Sequence, residues 1–194
     1  MKRRDFLAGL LVATAPLAIT RTAVAQTPAG AIPTPVYVSM LSRGGQFLEN
    51  SSRVAFDRSE MAGVRRFARA EVVEQVELSG DLSRTGAMAA MAPGMAMGGM
   101  MMAPMMMGNR RMTTDAEKAA MLAQLQTLQG PQFDATYVRA QIMGHEEALA
   151  LNGNYAQSGE DPALRRIASK AAGLNQLHLS QLSRLERGMG RATS

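Results

Sequence analysis

The 194-residue sequence has no cysteine, no tryptophan, two histidines, three tyrosines and five phenylalanines. Without thiols it forms neither disulfides nor thiolate metal sites, so packing must hold the fold even where an oxidising compartment would permit disulfides. The shortage of aromatic residues, beside plentiful Ala, Leu, Gln, Glu and Arg, favours helix over strand and makes the expected class all-α. No run without a charge or a glycine-rich break reaches the roughly 20 apolar residues that span a bilayer. Basic residues are spread along the chain and form no concentrated face, which excludes nucleic acid as a partner.

The chain starts Met-Lys-Arg-Arg-Asp-Phe-Leu, continues apolar from Phe6 to Ile19 and reaches Ala23-Val24-Ala25 before Gln26. This is the layout of a signal peptide, with cleavage expected after Ala25. Arg3-Arg4 before Asp5-Phe6-Leu7 resembles the twin-arginine pattern, so Tat export to the periplasm is expected, with no membrane anchor left after cleavage. Losing Lys2, Arg3, Arg4, Arg21 and Asp5 reduces 21 basic and 16 acidic residues to 17 and 15. The mature chain is thus near neutral, and its length suits one domain with a single core.

Three prolines make residues 26–36 an extended lead-in. From Tyr37 a helical stripe runs through Met40, Gly44, Phe47, Ser51 and Val54, and a second follows a break near Ser59–Gly63 through Val64, Phe67, Glu71, Gln75, Leu78 and Leu82. Residues 85–112 hold eleven methionines amid Gly, Ala and Pro, a low-complexity insert expected to be disordered. Thr114-Asp115-Ala116-Glu117 caps a short helix that stops at Gly130-Pro131. A long helix then carries Phe133, Tyr137, Ala140, Gly144, Ala148, Leu151 and Tyr155, and should end where Gly159 takes a left-handed cap. Asp161-Pro162 opens the last helix, through Leu164, Ala168, Ala171, Asn175, His178, Leu182 and Leu185, with a flexible tail over 188–194. Residues 37–187 should therefore form an antiparallel four-helix bundle with one extra short helix.

The segment Phe133-Asp134-Ala135-Thr136-Tyr137, with Gln141 and His145 further along the same helix, resembles the exported bacterial family catalogued as domain of unknown function 4142. Asp161 to Ala168, His178-Leu179 and, more loosely, Gly44–Ala55 and Val64–Leu82 extend the likeness. The resemblance implies a ferritin-like bundle. Family members typically carry a histidine where this chain has Gln75, and many a glutamate near Leu48.

Ferritin-like di-iron sites need Glu-x-x-His pairs, which are absent here. A smaller metal site could use His145 and His178, helped by Gln75, Gln141 or Glu71. About a hinge near Gly159 the two histidines are offset by about 7 Å at 1.5 Å per residue, neighbours or one turn apart. The alternative is a buried polar layer that fixes helix register. Met91, Met95, Met97, Met100, Met101, Met102, Met105, Met106 and Met107 supply thioethers suited to copper(I). The same segment could instead be a lengthened loop, an oxidant-absorbing surface, or an apolar patch for a membrane or a protein partner. Asp134 is expected to support its helix start and Tyr137 to be core.

No nucleophile and base pair is legible, so the chain is not expected to be an enzyme. The expected role is envelope metal handling, with copper(I) or iron as the candidate ions, or stress tolerance. The alternative is an interaction module working through the methionine loop. Oligomeric state is not encoded in any motif.

Overall fold

In the computed structural model, which describes residues 31–87, 106–107 and 110–192, four long helices and one short one build the fold. They are α1 (Thr34–Arg58), α2 (Ala62–Arg84), α3 (Asp115–Thr127), α4 (Gly130–Ser158) and α5 (Pro162–Ala192). Between α2 and α3, Met106–Met107 (β1) and Arg110–Arg111 (β2) pair antiparallel. The all-α expectation holds, with this two-residue ladder as its one addition among the described residues.

Local chemistry explains the helix ends. α1 starts three residues before the expected Tyr37, because Pro35 lies in the first turn, where no intrahelical partner for an N–H is required. Thr114 and Glu117 form the reciprocal capping box expected for α3. Asp161 Oδ1 accepts from the amides of Ala163 and Leu164 at 2.7 and 3.0 Å and so caps α5. Two boundaries differ from expectation. The helix of α5 continues past Gly188 to Ala192. Gly159 is extended, at φ −62°, and not left-handed; a Cβ there would run into the Tyr155 ring, so space, not φ, demands glycine.

The turns at 59–61 and 159–161 fold α1 back on α2 and α4 back on α5. Across the hairpins, Tyr37 donates to Asn152 (2.8 Å) and Ser52 bonds Tyr137 (2.9 Å). Partner numbers fall in α4 as they rise in α1, so these helices too are antiparallel. A long connection containing α3 joins the hairpins, the single-crossover arrangement of ferritin-like bundles. Gly144 lets α1 and α4 approach, since a Cβ there would lie 2.6 Å from Leu48 Cδ2.

The core is layered. Tyr37, Leu41, Leu82, Leu151, Tyr155 and Leu164 pack at one end. Val64, Phe67, Leu125, Phe133, Tyr137 and Leu182 pack at the other. Each fully buried Leu or Phe contributes about 1.5–3 kcal/mol. Between these apolar layers lie Glu71, His145 and His178, all buried.

Both ends of the methionine insert pack on the bundle. Ala87 lies against the first apolar cluster and Met112 is buried. Thr113 donates its amide to Glu147, which also pairs with Lys118 at 3.0 Å. Residues 88–105 and 108–109 lie outside the described residues, and with them the expected disorder of that stretch. Asp134 also departs from its expected role: it is buried and accepts the Ser59 hydroxyl hydrogen bond, tying the α1–α2 turn to α4.

Candidate metal centre

The helical period places Glu71 one turn beyond Phe67 on the inward face of α2, and places His145 and His178 on the facing stripes of α4 and α5. Their inner atoms form a triangle. His145 Nε2 is 3.0 Å from His178 Nδ1, and Glu71 Oε2 is 3.2 Å from the first and 3.1 Å from the second. The sequence left the histidines as neighbours or a turn apart; here they are neighbours.

The outer contacts determine what the triangle presents. His145 Nδ1 lies 2.8 Å from the Gln141 carbonyl oxygen, which only accepts, so Nδ1 carries the hydrogen and Nε2 turns a lone pair inward when the ring is neutral. His178 Nε2 lies 2.9 Å from Glu74 Oε2, a contact of two acceptors unless the ring nitrogen holds a proton. His178 Nδ1 then also faces inward as a lone pair. Gln75 donates Nε2–H to Glu71 Oε1 at 2.8 Å and leaves Oε2 turned to the centre, facing both histidine nitrogens. Three lone pairs thus converge in a buried layer, with the Phe67 ring edge-on to both imidazoles.

Without an ion, a proton must relieve this repulsion. Burial alone would pull the His178 pKa down, but hydrogen bonds and charge from Glu71 and Glu74 raise it to about 9. Burial pushes the Glu71 carboxyl up, and the two histidines outweigh it and hold the group well below the usual carboxylate range. A metal ion held by the same three atoms would have to displace this proton.

The donor set fits a metal. An ion about 2.1 Å from three ligands at right angles subtends edges of about 3.0 Å. Two imidazoles and one carboxylate suit copper(II), zinc or iron(II) better than the softer copper(I). Glu74 behind His178 and the Gln141 carbonyl behind His145 are the outer partners that orient metal-bound histidines.

Other expected site residues lie elsewhere. The Gln141 amide donates to the Ser51 hydroxyl at 2.8 Å and the Leu48 carbonyl at 3.2 Å, so its side chain joins α4 to α1 and stays out of the triangle. Gln75 touches the triangle through its amide N–H on Glu71, which it orients. Met91, Met95, Met97, Met100, Met101, Met102 and Met105 fall outside the described residues, while Met106 and Met107 contribute their backbone to β1. Sequence reasoning missed Glu74. Its signal was the three-residue spacing from Glu71, which puts both carboxylates on one side of α2.

A cavity of about 330 Å³ lies among α1, α2, α4 and α5 and reaches His178, Glu74, Gln75 and Asn175. Its wall also includes Met40, Gly44 and Met112.

A family model described as domain of unknown function (DUF4142) matches residues 19–185. No curated protein matches the chain. Among solved structures, CopM in the Cu(II)-bound form is similar, with a TM-score of 0.63 at 18% identity over 81% of this chain and 98% of that one. A structure described as a secreted DUF305 protein from Streptomyces coelicolor is similar at a TM-score of 0.63 and 19% identity, over 81% of this chain and 94% of that one. At these identities the likeness establishes a shared helical fold. No described helix is long and apolar enough to cross a membrane.

Proposed function

We propose that this chain, which belongs to the family described as domain of unknown function 4142, is a non-catalytic metal-binding protein of the cell envelope that takes up a divalent ion, copper(II) first, on Glu71, His145 and His178. The observation that carries the reading is the convergence of three inward lone pairs within 3.0–3.2 Å, each backed by an outer hydrogen bond or charge. Copper heads the affinity order for nitrogen and oxygen donors. The similarity to a Cu(II)-bound structure supports the choice of ion, and the twin-arginine-like start supports the compartment.

The methionine insert adds a second, softer donor set. Neutral thioethers prefer copper(I), so one chain would offer ligands for both oxidation states. Iron(II) is compatible with the bundle site and would be told apart by elemental analysis of protein purified from its host.

Titration of the mature chain with copper(II) tests the reading. One ion per chain is expected, with a spectrum of nitrogen and oxygen ligation, and His145→Ala and His178→Ala should each abolish it. Unchanged uptake in both variants would leave the triangle as a polar layer that fixes helix register. The pairing of Gln75 with Glu71 favours that second reading, since it organises the cluster without an ion.

A further inference from the structure

The triangle is enclosed by its own helices, and any ion must reach it from solvent. Of its three corners only His178 lines the cavity; Glu71 and His145 lie beyond. The cavity wall passes from exposed charged residues, among them Glu77, Asp115 and Lys170, to the buried Asn175 and His178. At about 30 Å³ per water, its volume holds about ten molecules, enough for a hydrated ion.

Its charge suits a cation. Five carboxylates, Glu74, Glu77, Asp81, Asp115 and Glu147, line the wall against Arg43, Lys118 and Lys170. Asp115 pairs with Arg43, Asp81 with Arg84, Glu74 with His178 and Lys118 with Glu147, which leaves Glu77 of α2 as the wall carboxylate outside any ion pair among the described residues. Such acidic walls raise the local cation concentration and the rate of capture. Deeper in, Asn175 is 7% exposed and its side-chain Nδ2 has no hydrogen-bond partner among the described residues, so the inner end holds a polar group left for water or for the hydration shell of an arriving ion.

We infer that this cavity is the route by which a hydrated divalent cation reaches the metal centre, with the acidic wall of α2 drawing it in and His178 the first ligand it meets. The inference rests on the metal-centre reading and adds the path and its direction. Gly44 offers the means to test it: the residue lines the cavity, and a Cβ built there meets nothing within 4 Å, so a larger side chain would project into open space.

The experiment is rapid mixing of the mature chain with copper(II) chloride, following both the loading rate and the final stoichiometry. Gly44→Phe should slow loading at least tenfold and leave one ion per chain at the end. Ala148→Leu, placed on the α4 wall, should slow it in the same direction should the first variant fold poorly. Glu77→Gln with Asp81→Asn should lower the rate about threefold and flatten its dependence on salt. Wild-type loading speed in folded Gly44→Phe and Ala148→Leu would overturn the route while leaving the centre intact. A lowered endpoint at wild-type rate would make the cavity part of the site, which also overturns it. A wild-type chain that takes up no copper would sink the centre and the route together.

Discussion

His145 Nε2 and His178 Nδ1 stand 3.0 Å apart at the middle of the α4–α5 seam, each ring held from behind by a different acceptor. The Gln141 carbonyl and the Glu74 carboxylate leave both inner nitrogens facing each other and Glu71. The triangle therefore has room for one positive species, a proton or, on the proposed reading, a metal ion. That competition gives the first prediction.

Because the His178 pKa is raised to about 9 from 6.5, its contribution to the ion-free bundle is fully present below pH 6.5 and lost as pH rises through 9. Denaturant titrations should show a loss on the order of 3 kcal/mol from pH 6 to pH 10. Metal uptake has the opposite sign: the ion displaces the proton, so apparent copper affinity should rise about tenfold per pH unit until near pH 9. A pH-independent affinity between 6 and 8 would contradict the proton's place in the triangle.

Gly45 leaves room for Gln75, since a Cβ there would lie 2.7 Å from Gln75 Oε1. Gly45→Ala should gain up to about 1 kcal/mol of helix propensity yet push Gln75 off Glu71. Copper affinity is expected to fall about 10–100-fold, the usual effect of losing an outer partner. Competition titration against a chelator reads the affinity, and thermal unfolding reads the stability.

Gly144 faces Leu48 across the α1–α4 contact at a distance no Cβ tolerates. Gly144→Ala should destabilise the bundle by about 1–3 kcal/mol through overpacking. In a double-mutant cycle Leu48→Ala should remove most of that penalty, giving a coupling of at least about 1 kcal/mol. Additive losses would show that the helices do not meet at this pair.

Deleting residues 88–105 should leave copper(II) uptake by the bundle unchanged and lower copper(I) uptake measured under reducing conditions. Thioethers and the imidazole–carboxylate set differ in softness, so the two losses separate. Equal copper(I) affinity before and after deletion would remove the insert from metal handling.

Much of the fold was legible in the sequence because its signals are local. The Thr114–Glu117 box, the Asp161-Pro162 start and the stripes through Phe133–Tyr155 and Leu164–Leu182 depend on residues within a turn or two of one another, and the structure follows them. Their failures have physical causes of the same scale. Pro35 is tolerated inside the first turn of α1, and Gly159 is required by a neighbouring ring and not by φ.

The site was legible in part. A short hinge between two facing stripes brought His145 and His178 to within about a turn, but the carboxylate that completes the triangle comes from α2, across a long connection whose length carries no register. A 3.6-residue period tells which face of a helix turns inward and leaves open which residue of another helix it will meet. So Glu71 ranked beside Gln75 and Gln141 as one polar residue among several, and Glu74 was not singled out. By itself the sequence determined an all-α chain, its helices, their buried faces and the absence of thiol chemistry, all properties of composition and short-range spacing. Only tertiary structure decided that Gln141 serves the serines of α1, that Gln75 turns Glu71 inward and that three lone pairs share one point, because packing between helices distant in sequence sets that register.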